Sequence, residues 1–296
     1  MPIVQISRIQ HRRGKRTDLP QLAAGEIGWV IDEQRLFIGN GTVSDGAPAV
    51  GNTEIVTAGS STFSTALTHT YKGYLGDSTP VTSTVARSLQ QRLDEYVSVK
   101  DFGAKGDGDT AASIAAATDD TTAIQTAIDQ IFTETDEVDS NSRRVLFFPA
   151  GKYKITAALK IPPYAHLVGE GPDKTIIRNQ GNNSVMVTQD NANNVGASIT
   201  ALVNQIQISN MTLKNSVAYA GVSLDSATKI YFNNCRIEGS YATGGADAST
   251  SKGVTVTSTN ALQSSHLYFN QCQIAKFARL VDLSYDVTNV RFNNCD

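Results

Sequence analysis

Along the second half of the chain, apolar and polar positions alternate in a short pattern that recurs. It reads Ile206-x-Ile208-x-Asn210-Met211-x-Leu213, then Ile230-x-Phe232-x-Asn234-Cys235-x-Ile237, then Leu267-x-Phe269-x-Gln271-Cys272-x-Ile274, and finally Val290-x-Phe292-x-Asn294-Cys295. Between these units lies a second set of apolar runs, Val222-x-Leu224, Val254-x-Val256 and Val281-x-Leu283. A period of roughly two dozen residues marks a solenoid, and the alternation inside each repeat makes it a β-solenoid with at least two strands per turn. The one long step holds loops around Ser240–Ser251 and Thr257–Ser265.

Rungs of a parallel β-helix bond to one another about 4.8 Å apart, so equivalent side chains stack. The pattern predicts an inward aromatic column of Phe232, Phe269 and Phe292. It also predicts an amide ladder of Asn210, Asn234, Gln271 and Asn294 at the strand ends, satisfying polar groups that burial would otherwise leave unpaired. Cys235, Cys272 and Cys295 share a column with Met211 and read as packed thiols, because one thiol per rung without a matching histidine suits neither a disulfide nor a metal.

The earlier part of the chain is patterned differently. Residues 1–59 read as a small β domain: Met1–Gln10 alternates, and Ile27–Val30 and Leu36–Ile38 flank Asp32-Glu33-Gln34 as the arms of a hairpin. Trp29, the only tryptophan, is expected to anchor its core. Residues 60–83, rich in Ser, Thr and Gly, read as a linker. Val85, Leu89 and Leu93 share one face of a helical neck over 84–95. Three turns are marginal for a lone helix, so the neck needs a partner, either its own copies around a three-fold axis or its own β domain.

The β-helix is expected over 96–296. Asp119 or Asp120 caps a helix of about 119–134 whose stripe is Ala123, Ile124, Ala127, Ile128 and Ile131. Such a helix covers the open first rung, where unpaired backbone would invite aggregation. The run Gly103–Gly108 lacks the Gly-Lys-Ser/Thr ending of a phosphate loop. At the other end the chain stops inside a repeat unit, so a partner is expected to cover that rung or the β-helix to continue past residue 296.

Composition narrows the class. The chain has 296 residues, 40 % hydrophobic and 18 % charged, with a net charge of −3 and three cysteines. No segment reaches 18 consecutive apolar residues, which predicts no membrane insertion, and the polar opening lacks a signal-peptide core, which predicts synthesis in a reducing cytoplasm. An isoelectric point near 5.8 gives no electrostatic footprint for nucleic acid. The basic run His11-Arg12-Arg13-Gly14-Lys15-Arg16 is short and followed by Asp18 and Glu26, so it reads as a docking surface or a solvated loop.

Candidate chemistry is sparse. Glu170, Asp173, Asp225, Glu238, Asp282 and Asp286 are the candidate carboxylates on the solenoid, and alternation turns Asp225, Glu238 and Asp282 outward. Glycoside hydrolysis needs two carboxylates about 5 Å apart for retention or about 6.5–9.5 Å for inversion, and no pair recurs in sequence. The four histidines (His11, His69, His166, His266) have no metal-ligand spacing, and no cofactor or metal is expected.

Two stretches resemble known families. Leu22-Ala-Ala-Gly-Glu-Ile-Gly-Trp-Val-Ile-Asp32 with Arg35-Leu-Phe-Ile-Gly-Asn-Gly41 resembles the N-terminal module of bacteriophage tail-fibre, receptor-binding and baseplate proteins, which implies virion attachment through Arg12, Arg13, Lys15, Arg16 and Trp29. Val99-Lys-Asp-Phe-Gly-Ala-Lys-Gly-Asp-Gly108, Asp119-Asp-Thr-x-Ala-Ile-Gln-x-Ala-Ile128, Val145-Leu-Phe-Phe-Pro-Ala-Gly-Lys-Tyr-Lys-Ile155 and Leu167-Val-Gly-Glu-Gly171 resemble the start of the pectate-lyase and polygalacturonase-like right-handed β-helix of phage tailspikes. The resemblance implies an all-β homotrimer in the virion. It would attach to the tail or baseplate and present a β-helix to the host surface, with surface polysaccharide as a partner. The alternative is a polysaccharide hydrolase or lyase whose active site lies late in this segment or beyond it.

Overall fold

The computed structural model describes residues 12–45, 50–55, 68–69, 87–88, 96–109, 112–132, 145–216, 219–240, 251–284 and 286–296. They fall into two compact units, Met1–Asp94 and Glu95–Asp296. The alternating run expected at Met1–Gln10, most of the linker, and Val85, Leu89 and Leu93 lie outside the described residues. Inside the expected neck, Arg87–Ser88 is a short strand paired antiparallel with Thr68–His69, where a continuous helix was predicted. A four-residue spacing cannot by itself override such pairing, because an isolated helix of that length has little stability of its own.

In the first unit, Arg12–Gly14, Ile27–Val30, Arg35–Gly39 and Asn52–Ile55 form one sheet in that order, parallel for the first pair and antiparallel for the rest. The hairpin turns at Gln34, whose φ is 54°. Its core is Leu22, Val30 and Phe37, with Leu19 packed alongside. Trp29 is not the anchor of that core. Gly28 and Val30 are the buried residues of their strand, and period-2 alternation turns the intervening Trp29 to the other face, where it is half-buried. Gly39 is required by contact: a Cβ there would run into the carbonyl oxygens of Ala23 and Leu22.

Among the described residues, the second unit is a parallel β-helix of three sheets, all-β apart from its cap and short 3₁₀ turns. One sheet has eight strands, among them His166–Gly169, Gln207–Ser209, Ala227–Asn233, Ser265–Asn270 and Thr288–Asn293; the other two have five strands each. Each sequence repeat is split between two sheets. Its first half lies in the eight-stranded sheet and its second half, beginning after Asn210, Asn234 or Gln271, lies in the sheet that contains Thr212–Asn215, Arg236–Glu238 and Gln273–Ala275. The bend falls on the amide residue, with φ of 58°, 51° and 54° at those three positions and 50° at Asn294. Asparagine tolerates this left-handed conformation better than other L residues, and that backbone demand explains the pattern.

The amide ladder therefore differs from expectation. Asn234, Gln271 and Asn294 are exposed, so they do not relieve buried polar groups. Asn234 Nδ2 does donate to Asn210 Oδ1 at 2.9 Å, but the longer ladder is one residue earlier, where Asn270 donates to Asn233 at 2.9 Å and Asn293 to Asn270 at 2.8 Å. The aromatic column forms as predicted: Phe232, Phe269 and Phe292 stack with centroids 4.9 and 4.8 Å apart. The three thiols are free and bond down the same axis, Cys235 to the Ile208 carbonyl, Cys272 to Phe232 and Cys295 to Phe269.

The helix Thr121–Phe132 closes the first rung. It buries Ile124, Ala127, Ile128 and Phe132 in the same core as Leu146, Phe148 and Leu159, with Ala123 and Ile131 packed against it. Both aspartates before it are used. Asp119 Oδ1 accepts from the Thr121 amide at 3.1 Å, while the buried Asp120 carboxylate accepts from the Lys105 and Gly106 amides at 2.7 and 3.0 Å. Asp120 thereby fastens the Gly-rich segment to the cap. Burial pushes its carboxyl above the ordinary value despite those two bonds, with Asp107 and Asp119 adding to the rise.

Candidate functional site

Four of the five attachment residues named from sequence come together in the first unit. Arg12, Arg13, Lys15 and Trp29, with Gly14, Asp18, Leu19 and Pro20, line a cleft of about 450 Å³. The strand Arg12–Gly14 is the sheet's outer strand, and Trp29 lies opposite Arg13 in register, which brings cations and indole to one place. Arg12 is bridged by Glu26, while Arg13 and Lys15 have no carboxylate partner among the described residues. Arg16 is not in the lining: its guanidinium sits 4.5 Å over the Phe37 ring and its amide donates to Asp32. The cleft offers positive charge beside an aromatic face, which suits an acidic or aromatic protein segment.

The β-helix carboxylates are distributed and mostly engaged. Glu238 bridges Lys214 at 3.2 Å and Lys276 at 2.5 Å; burial pushes its carboxyl up, but the two ammonium groups outweigh that and hold it below the ordinary value. Asp282 is held by Lys252, whose hydrogen bond depresses its carboxyl too, with Arg279 at 3.7 Å. Asp173 pairs with Arg236 at 2.7 Å. Glu170 and Asp286 are exposed. Asp225, expected to face outward, is buried. Its strand bends at Ser226, whose φ is 49°, and the carboxylate is drawn in by hydroxyl donors from Ser226 and Thr259. A glycosidase acid needs a raised pKa, and Glu238 and Asp282 are shifted the opposite way.

One further carboxylate escaped the sequence reading. Asp190 is buried and accepts from the amides of Ala192, Asn194 and Thr200 and from the Asn194 and Thr200 side chains. It organises a turn of the solenoid wall.

The outer face of the eight-stranded sheet is a different surface. His166, Gln207, Tyr231, Tyr268 and Arg291 align on successive rungs. Tyr231 and Tyr268 stack with centroids 5.0 Å apart and planes 9° from parallel, and the Arg291 guanidinium lies 5.9 Å from the Tyr268 ring. The Asn233–Asn270–Asn293 ladder runs beside them. Among the described residues, none of the sheet's strands carries an Asp or Glu, whereas Lys229, His166, His266 and Arg291 all lie on it. Sequence reading passed over this surface, although its signal was present: Gln207, Tyr231, Tyr268 and Arg291 are the unnamed position between the two apolar residues that open each repeat.

Comparison with known proteins places both units. The model of the rhamnogalacturonase A/epimerase, pectate lyase-like family matches residues 96–296, more than half of the chain. The chain belongs to this family. Residues 9–43 match the major tropism determinant N-terminal domain. The two matches fall in the expected order, a small N-terminal module followed by a pectate lyase-like β-helix. A glucan 1,3-beta-glucosidase of Cochliobolus carbonum is 36 % identical over 75 residues, 25 % of this chain and 8 % of that protein. Among solved structures, ORF18 of Geobacillus virus E2 is 16 % identical over 98 % of this chain and 63 % of its own, with a TM-score of 0.45. Tailspike protein 3 of bacteriophage CBA120 is 14 % identical over 90 % of this chain and 45 % of its own, with a TM-score of 0.48. The chain thus spans less than two thirds of the length of each of these relatives. Family membership rests on the β-helix match and not on these distant likenesses.

Proposed function

We propose that this pectate lyase-like chain is a bacteriophage tail component of the virion. Its first unit docks on a tail or baseplate protein, and its β-helix is presented to the polysaccharide of the host surface. The observation that carries the reading is the cleft of Arg13, Lys15 and Trp29, which lies within the segment matching the tropism-determinant module. Two cations, Arg13 and Lys15, that have no carboxylate partner among the described residues lie beside an indole, and they favour an acidic protein surface over nucleic acid, because the chain as a whole is acidic and the basic patch is confined to one edge. Assembly as a homotrimer belongs to the same proposal and follows from the tail-fibre resemblance.

The test uses assembled particles. Particles carrying Arg13→Glu, Lys15→Glu or Trp29→Ala are expected to lose the chain from the tail, as read by mass spectrometry of purified virions, while the isolated variants keep the β-strand spectrum of the wild type. Retention at wild-type stoichiometry would overturn the docking assignment, and a monomer in sedimentation equilibrium would overturn the trimer.

A further inference from the structure

Where the chain leaves the strand Arg35–Gly39 it runs Asn40-Gly41, a dipeptide that occurs once in the sequence. Thr53, on the neighbouring strand Asn52–Ile55, aims its hydroxyl at the Asn40 carboxamide and donates to Oδ1 at 2.5 Å. That bond draws electron density from the amide carbon and stabilises negative charge that develops on the same oxygen. Asn40 Nδ2 and the main-chain N–H of Gly41 have no hydrogen-bond partner among the described residues. Gly41 has φ of 78° and no Cβ, so no side chain of its own screens its nitrogen from the preceding residue. It is also buried, and a buried N–H without an acceptor is costly; a ring closed through this nitrogen removes that N–H.

Two comparable places in the chain are protected. Asn52 is held at both ends, because Oδ1 accepts from the Leu22 amide at 2.9 Å and Nδ2 donates to the Pro20 carbonyl at 2.8 Å, and the β-branched Thr53 follows it. In Asp107-Gly108 the carboxylate is bound by Thr118, and the Gly108 N–H is committed to the Lys152 carbonyl at 3.0 Å. At Asn40-Gly41 the electrophile is polarised while the nucleophile and the leaving group are both uncommitted.

We propose that Asn40 is a self-modifying site. The Gly41 nitrogen attacks Asn40 Cγ, forming a C–N bond and a five-membered imide, while the Gly41 proton passes through solvent to Nδ2, which leaves as ammonia. Water then opens the imide at either carbonyl, giving an aspartyl or isoaspartyl residue at position 40. Amide and water become carboxylate and ammonium, and nothing is oxidised or reduced. Reaction within one dipeptide has the advantage of proximity. The isoaspartyl product routes the main chain through the side-chain carbon, just after the Asn40 N–H bonds the Gly51 carbonyl at 2.9 Å and ties this turn to the next strand. With age the first unit therefore gains a negative charge and a loosened turn, whatever it docks on.

The full-length chain is aged in buffers of rising pH, and the tryptic peptide that begins at Leu36 is sequenced by tandem mass spectrometry. Exchange of the amide NH2 for OH is expected at Asn40 and not at Asn52 of the same peptide. Its rate should rise about tenfold per pH unit, as deprotonation of a weak acid does below its pKa. Thr53→Val removes the donor to Oδ1 and keeps the branched shape, so it should slow the exchange about tenfold. An Asn40 that persists in the folded chain while the urea-unfolded chain converts it would overturn the proposal, and so would equal exchange at Asn52. Faster exchange in Thr53→Val would overturn it too, since the hydroxyl would then be a restraint and not an activator. The comparison of Asn40 with Asn52 is made in the wild type and depends on no variant folding.

Discussion

Replacing each phenylalanine of the inner column by alanine should produce unequal losses, and the inequality follows from the stack. Phe269 is fully buried and packs a ring against each face, at 4.9 Å from Phe232 and 4.8 Å from Phe292. Truncating a buried Phe costs about 3–5 kcal/mol, and interrupting ring pairs worth about 0.5–1.5 kcal/mol each places Phe269→Ala near the upper end of that range. Phe292 is 39 % exposed and stacks on one side, so Phe292→Ala should cost only about 1–2 kcal/mol. Urea unfolding monitored by far-ultraviolet circular dichroism reads both. Because a solenoid can unfold in segments, hydrogen exchange at the Phe269 and Phe292 amides should accompany it. Equal losses would refute the reasoning, since they would require the Phe292 ring to be covered in solution as fully as Phe269.

Two other perturbations probe separate parts of the chain. Burial raises the Asp190 carboxyl, but hydrogen bonds from Thr200 and Asn194 outweigh it and hold it below the ordinary value of 3.8. A depressed folded-state value means that its stabilisation is present above pH 3.8 and is lost as pH falls through the folded value. Asp190→Ala should cost at least about 3 kcal/mol at pH 7, with a smaller gap from wild type below pH 3.8; a gap independent of pH would refute the charge-assisted account. In the first unit, Gly39→Ala forces a Cβ into the Ala23 and Leu22 carbonyls, and overpacking of this kind costs about 1–3 kcal/mol. Calorimetry should show the first unit melting earlier with the β-helix transition unmoved, and a common shift of both would show that the units do not melt independently.

Much of the second unit was legible in the chain because a solenoid repeats its local instructions. An apolar residue at every second position, an amide at each bend and a helix with two leading aspartates led to the stacked phenylalanines, the thiol column and the cap before any coordinates. The errors have one source. Asp225 was turned outward because it follows the inward Leu224, although hydroxyl donors beyond its strand draw the carboxylate in, and the amide ladder was credited with satisfying buried groups when its residues serve the left-handed turn. Trp29 was placed in the core as the only tryptophan, although its neighbours Gly28 and Val30 are the buried ones.

What the sequence determined by itself is the class of structure: a β-helix with its inward columns, since those depend on residues a fixed step apart. The tertiary structure decided which outward residues meet. Tyr231 and Tyr268 touch because rungs separated by a long loop still pair in register, and Arg13 meets Trp29 because two short strands happen to be neighbours in a sheet. Loop lengths between rungs vary while hydrogen-bond register does not, so spacing along the chain carries the core and leaves the surface to be assembled by the fold.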